Sequence, residues 1–571
     1  MINFIVDNPI AKMITRRPKA INSHSDQAFG LVKKWVAQCL DEHPSCSKDP
    51  SALPTRVISV GNSGHDTHLL ISNELYGHWV VLSHCWGNKR EGITTSRNIA
   101  EREQRLEVDK LPVLFQDAIY IARRLGYKFI WIDSLCILQD SEADWRTESL
   151  KMAQYYGGSI LNISASAAPD ASTGIFESGD LNRENKVPAI RLECHSKVND
   201  IRGSIYVRHS KQPERDPTNW EAPLIRRAWA FQESILSPRV LSYDENHLRW
   251  ECKKVRCIEE IPEWPRNEDL LMKTPERVKI YALPPITDGR RDSKNTLELD
   301  LHLRRFALTW WYHVLNEYLH RDITFPKDRL PAIAGVSKEF AKRTGCTYVC
   351  GLWKEDLLNG LRWTPVAARD SKNGIKGPPT WSWASTSLQQ GDPCWQKGLP
   401  YYACGYECRL GYDTAEIVNC AVVNENEDGY GQVISASLKL KGRWLYTNSM
   451  LARNSAPVRF VDTQKLGYNF GSISDDKMNN LSWGRRTIIC ALDELPGPQG
   501  YEPEELGANT IYFQLGVWGR SEKEDVRHGR LSALILKPVD GNESTYERIG
   551  LAVIMNYSEA QGWPIRTVTI I

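Results

Sequence analysis

Between Gln27 and Leu40 the apolar residues Leu31, Val32, Trp35, Val36 and Cys39 return at helical spacing, which predicts an amphipathic helix ending near His43 and Pro44. Leu53 to Val60 reads as a short strand, and Gly61 to Gly64 as a turn. Trp79 to Leu82 is a compact apolar run that stops at Ser83, His84, Cys85, Trp86 and Gly87, the pattern of a buried strand entering a loop. Leu111, Leu114, Phe115, Ala118, Ile119, Ala122 and Leu125 then share one helical face, with Pro112 at the start and Gly126 just past the end. A second apolar strand is expected at Phe129 to Ile132. Ser141 with Asp144 three residues on resembles a capping box, opening a helix that ends around Gly157 and Gly158. Ile160 to Ser164 completes the series. Strand, helix, strand, helix, strand predicts a parallel sheet with flanking helices.

After Pro238 the pattern becomes mixed, with a helix expected around Leu301 to Leu319. Strand-like runs follow at Ser437 to Leu445, Thr487 to Leu492, Ile511 to Val517, Leu531 to Leu536 and Gly550 to Met555. The resulting division is a lead-in of helix and strand over 1–78, an α/β domain over 79–233, a mixed α/β extension over 234–400 and a β-rich region over 401–571. No fixed-period repeat is visible, and Gly289 to Asn295 and Asn424 to Gly431 read as polar loops.

Composition narrows the class. At 571 residues the chain exceeds one ordinary core, and 41% hydrophobic content with 20 Trp supplies ample packing material. Lys and Arg (72) nearly balance Asp and Glu (70), so the summed charge carries no footprint for nucleic acid. No window approaches a membrane-spanning length of apolar residues, and the first twenty residues lack the pattern of a signal peptide, giving an expectation of a cytoplasmic protein. Fourteen Cys in such a chain read as reduced, mostly buried thiols.

Ligands of open α/β sheets bind beyond the carboxyl ends of the strands, where this chain carries Ser83 and His84, Asp133 and Ser134, and Ser164 and Ser166. On the helix after Ser141, Trp145, Glu148, Met152 and Tyr155 recur at helical spacing, which places a carboxylate within a largely apolar stripe. Glu148 and Asp133 are therefore the candidate catalytic residues, and Ser83, His84 and Ser134 the candidate ligand-binding residues. Each has a plainer counterpart: Glu148 paired with a basic side chain to fix packing, and Asp133 capping a turn. His84 beside Cys85 is poor evidence for a nucleophile and base, because neighbouring strand residues face opposite ways. Cys85 and Cys136 read as core thiols. Cys39, His43 and Cys46, Cys346 with Cys350, and Cys404 with Cys408 lack the paired spacing of a zinc ribbon, so no metal site is assigned. Neither a phosphate-binding loop nor a dinucleotide fingerprint is present, and no cofactor is assigned. The Trp-rich segments Trp310 to Tyr312 and Trp381 to Ser385 read as core.

Taken together, WVVLSHCWG (79–87), LPVLFQDAIYIARRLGYKFIWIDSLCILQD (111–140), DWRTESLKMAQYY (144–156) and RAWAFQE (227–233) resemble the fungal heterokaryon-incompatibility (HET) domain family in order and spacing. WVAQCLDEHPSC (35–46), LPTRVISV (53–60), GLWKEDLLNGLRW (351–363), PTWSWAS (379–385) and YERIGLA (546–552) resemble blocks that flank it. The resemblance implies an intracellular fungal protein of non-self recognition and programmed cell death, with a protein partner or self-assembly. It also implies a distantly TIR-like fold. Some TIR domains hydrolyse NAD with a helix-borne Glu, so Glu148 is the matching candidate and NAD a candidate substrate. Two other readings remain open: a non-catalytic interaction protein, and a HET-like enzyme of small-molecule metabolism using Asp133 and Glu148.

Overall fold

The computed structural model describes residues 2–3, 19–46, 49–62, 66–87, 91–180, 190–196, 201–207, 222–262, 294–319, 321–364, 377–385, 401–402, 412–425, 428–449, 458–460, 488–492, 509–518, 530–539, 542–554 and 557–571. Cys404 and Cys408 lie outside them, as do parts of the turn at 61–64 and of the polar loops at 289–295 and 424–431. The chain divides into two compact units, Met1–Leu283 and Pro284–Ile571.

In the first unit the principal elements in chain order are α1 (Asp26–Glu42), β1 (Arg56–Ser59), β2 (His68–Ile71), β3 (Trp79–Ser83), α2 (Val113–Leu125), β4 (Phe129–Trp131), α3 (Glu142–Gly158) and β5 (Leu161–Ser164). They are followed by α4 (Ala228–Leu236), β6 (Arg239–Tyr243), β7 (Leu248–Cys252) and β8 (Arg256–Ile258). Eight strands form one sheet in the order β8-β7-β6-β5-β3-β4-β1-β2. The four in the middle, β6, β5, β3 and β4, run parallel. Every residue of β3 and of β5 is buried, as expected for strands covered on both faces.

The expectation of a parallel sheet holds for this centre and fails at the margins. β1 pairs antiparallel with both β4 and β2, and β7 with both β6 and β8, so the whole sheet is mixed. For the β1–β2, β6–β7 and β7–β8 pairs the reason is local. β1–β2 and β6–β7–β8 are joined by short connections, which permit only antiparallel neighbours, whereas the central strands are separated by helices long enough to cross back over the sheet.

The helix ends follow their sequence signals. Pro112 precedes α2, and Gly126 closes it in the left-handed region at φ 87°, with its N–H bonded to carbonyls of the last turn. The Ser141 side chain accepts the N–H of Asp144 at the head of α3. Within α3, Glu148, Met152 and Tyr155 face inward as expected, together with Tyr156. Trp145 does not: it is 38% exposed, because it lies in the first turn of α3, before the helix settles against the sheet.

The second unit begins with α5 (Lys294–Leu319) and α6 (Pro331–Thr344). Trp310 stacks on Phe340, and Trp311 and Trp353 also pack on that ring. Trp310, Trp311, Trp381 and Trp383 are fully buried, so these aromatic segments are core. Then come β9 (Glu416–Asn424), β10 (Val433–Tyr446), β11 (Ile488–Leu492), β12 (Ile511–Trp518), β13 (Arg530–Val539), β14 (Asn542–Ile554) and β15 (Ile565–Ile570), the β-rich C-terminal region. The pairings β12–β10–β15–β14–β13–β12 close on themselves, so each of those five strands has a neighbour on both sides over part of its length.

Candidate functional site

The loop leaving β3 and the helical turn Asp133–Cys136 leaving β4 meet beyond the carboxyl ends of the central strands. His84 is buried between them, with Nε2 3.3 Å from the Ser134 hydroxyl and Nδ1 3.7 Å from Asp133 Oδ1. The Asp133 carboxylate accepts the indole N–H of Trp86 at 2.8 Å on Oδ2 and the Ser134 backbone N–H at 2.7 Å on Oδ1. The His84 ring lies parallel to Trp86 and takes the edge of Phe115 at 5.1 Å. Gly87 lets this loop turn at φ 70° directly over Asp170, where a Cβ would come within 2.4 Å of the Asp170 Cβ.

Two residues of α4 and its cap complete the group. Arg227 donates to the His84 carbonyl oxygen, and Glu233 is buried against the hydroxyls of Ser83 and Tyr156. Burial pushes the Glu233 carboxyl up to about 7, while the Arg227 charge opposes the rise and the Asp133 charge adds to it. Burial holds the His84 imidazole down to about 4, with Asp133 pulling the other way and Arg227 reinforcing the fall. Burial thus favours the uncharged His84 imidazole and the protonated Glu233 carboxyl at this end of the sheet, groups of the kind that general acid or base work uses. Cys85 is a buried thiol packed with Leu224 and Ala230, pushed up to about 11 by burial, and Cys136 is pushed up to about 12 for the same reason. Both are core thiols, not nucleophiles.

Glu148 occupies a second network, on α3 against the chain just before β1. Its Oε1 accepts from the Thr55 hydroxyl at 2.9 Å and the Lys151 ammonium at 3.2 Å, and its Oε2 from the Tyr155 hydroxyl at 2.7 Å. Lys151 also reaches Thr55 at 3.0 Å. Beside it, Arg56 bonds the Cys136 carbonyl at 2.7 Å and pairs with Asp144 at 2.5 Å. The structure therefore gathers Ser83, His84, Asp133 and Ser134 into one cluster and holds Glu148 in another. Ser164 and Ser166 bond each other at 3.0 Å further along the same edge.

Sequence reasoning assigned no chemistry to Arg227, Glu233, Tyr156, Thr55 or Lys151. Glu233 and Arg227 stood within RAWAFQE, where the pairing of a base and an acid inside an apolar helix was the available signal. Among the described residues, one group has the composition of a metal site: Cys39, His43 and Cys46 are joined by Cys252, with all four donor atoms within 4.8 Å of one another.

A mixed sheet with parallel central strands, helices on its faces and a polar cluster at the strand ends defines an α/β domain with a built carboxyl-end site. Its segment 79–233 matches the family model Heterokaryon incompatibility protein (HET), so the chain carries a HET domain there. No curated protein and no solved structure matches the chain.

Proposed function

We propose that this chain acts in heterokaryon-incompatibility-type signalling, in which recognition of an unlike cell leads to programmed cell death, and that its HET domain works by engaging a protein partner or another copy of itself. The observation that carries this reading is the state of Glu148. Both of its oxygens are occupied, by Thr55 and Lys151 on one side and Tyr155 on the other, and the side chain is 2% exposed. A carboxylate so used ties α3 to the chain before β1; it is a structural group.

The test is nicotinamide release from NAD by the purified full chain, alone and concentrated, beside a folded Glu148→Gln variant, with host death scored on expression in a filamentous fungus. The interaction reading expects death to persist in the variant. Nicotinamide release by the wild type that the folded variant abolishes sinks it.

One observation favours a second reading, in which the domain cleaves NAD in the manner of TIR domains. His84, Asp133 and Glu233 lie where α/β sheets bind ligands, and Glu233 titrates near neutrality. In that case the catalytic carboxyl is Glu233 or Asp133, and nicotinamide release survives Glu148→Gln but is lost in Glu233→Gln or in Asp133→Asn.

A further inference from the structure

The end of α1 is shaped to present three soft ligands at once. Cys39 and His43 stand four residues apart, one helical turn, so they project from the same face. Pro44 then turns the chain, with the Cys46 N–H bonded to the His43 carbonyl at 2.9 Å, and this brings Cys46 back beside them. The fourth group arrives from more than two hundred residues away: Cys252, the last residue of β7, whose sulfur lies 3.4 Å from His43 Nδ1.

We infer that Cys39, His43, Cys46 and Cys252 form a structural site for a thiophilic divalent cation of the zinc class. The donor atoms lie within 4.8 Å of one another, and tetrahedral zinc with bonds of about 2.3 Å holds its sulfurs about 3.8 Å apart, so small side-chain adjustments close the set. Three thiolates and one imidazole are a zinc ligand set, and four protein ligands leave no open position, which makes the site structural and not catalytic.

The surroundings are built for thiolate sulfur. The turn after β7 aims the N–H groups of Lys254 and Val255 at the Cys252 sulfur, at 3.5 and 3.4 Å. The fully buried Arg239 guanidinium donates to the Cys39 sulfur at 3.2 Å and to the Cys46 carbonyl at 3.2 Å. Three thiolates bound to a divalent cation leave one net negative charge, and Arg239 supplies the compensating positive one. Cys39, Cys46 and Cys252 are themselves buried, and Trp35 packs on Trp250 alongside. A cation here fastens the end of α1 to the β7–β8 hairpin, joining segments on either side of the HET domain.

The experiment uses the full chain purified under reducing conditions from zinc-supplemented medium. Elemental analysis is expected to find one zinc per chain, released on titration with a thiol-blocking mercurial. Replacement by cobalt(II) should produce thiolate charge-transfer absorption and the visible bands of a tetrahedral site. Cys252→Ser and His43→Ala should lose the metal, Cys257→Ser should keep it, and His43→Cys should keep it while moving the cobalt bands. A folded, reduced wild-type chain that holds no zinc and gives no tetrahedral cobalt spectrum overturns the inference, whatever the variants do. So does an intact-mass change on reduction that maps to a disulfide among these three cysteines.

Discussion

Glu148 and Glu233 are two glutamates buried to similar depth in one α/β unit, 1% and 6% exposed, and the protein treats them in opposite ways. Glu148 sits in a shell made by its own helix and the chain before β1, with a hydroxyl and an ammonium on one oxygen and a phenol on the other. Glu233 sits beyond the strand ends, where burial outweighs the nearby Arg227 charge and the carboxyl rises to about 7. The lesson is that depth alone does not decide what a buried acid is for. At Glu148 the neighbours tie helix to chain; at Glu233 burial outweighs the Arg227 charge and the Ser83 and Tyr156 hydroxyls, so the folded carboxyl holds its proton more tightly.

The most damaging way to break this contrast is Glu148→Ala. It removes the acceptor shared by Thr55, Tyr155 and Lys151, and unfolding in urea should show a loss of about 3 kcal/mol, somewhat less than for a fully buried pair because Lys151 is partly exposed. Glu148→Gln keeps the shape and one acceptor and should lose roughly half as much.

Next comes Glu233→Gln, whose effect depends on pH. The folded carboxyl, raised to about 7 from an ordinary 4.5, keeps its proton while the unfolded one has lost it. This group therefore lowers stability progressively as pH climbs from about 4.5 to about 7, by up to roughly 3 kcal/mol above that range. The variant removes that contribution and should gain on the wild type at pH 8, read in thermal melts.

His84→Gln sharpens the same point from the other side. With the folded imidazole held to about 4, His84 lowers stability as pH falls from about 6.5 through 4. Between about 4.5 and 6.5 the unfolded chain protonates the histidine and the folded one the glutamate, so their slopes cancel. Either single variant should uncover the other's slope in melts across that window. Smaller again, Trp86→Phe deletes the indole donor to Asp133 and should cost about 1–2 kcal/mol in urea unfolding while leaving ring stacking in place. Trp145→Ala, at an exposed position on α3, should change stability by less than about 0.5 kcal/mol in the same assay.

Much of the frame was legible because its signals are local. Pro112 and Gly126 bracket α2, Ser141 caps α3, and the apolar runs of β3 and β5 announce their burial within a few residues each. Glu148, Asp133, Ser83, His84 and Ser134 could be named as candidates, and the grouping of the last four at the strand ends followed from the expected parallel order, whereas Glu148 stands apart from them. What could not be read was convergence over distance. Arg227 and Glu233 reach His84 and Ser83 from about 150 residues downstream, and Cys252 reaches Cys39 from more than 200. The antiparallel margins escaped as well, since β6, β7 and β8 are short and lie outside the segment whose alternation of strand and helix was clearest.

Those margins bear on how the HET domain can be handled in isolation. The matched segment supplies β3, β4 and β5, while β1 covers the outer side of β4 and β6 covers the outer side of β5. Cut at residues 79 and 233, the fragment would expose two unpaired strand edges, Phe129–Trp131 apolar throughout and Leu161–Ser164 alternating apolar and polar, an invitation to edge-to-edge stacking and inclusion bodies. A fragment intended for crystals or cell assays should start before α1 and run past β8.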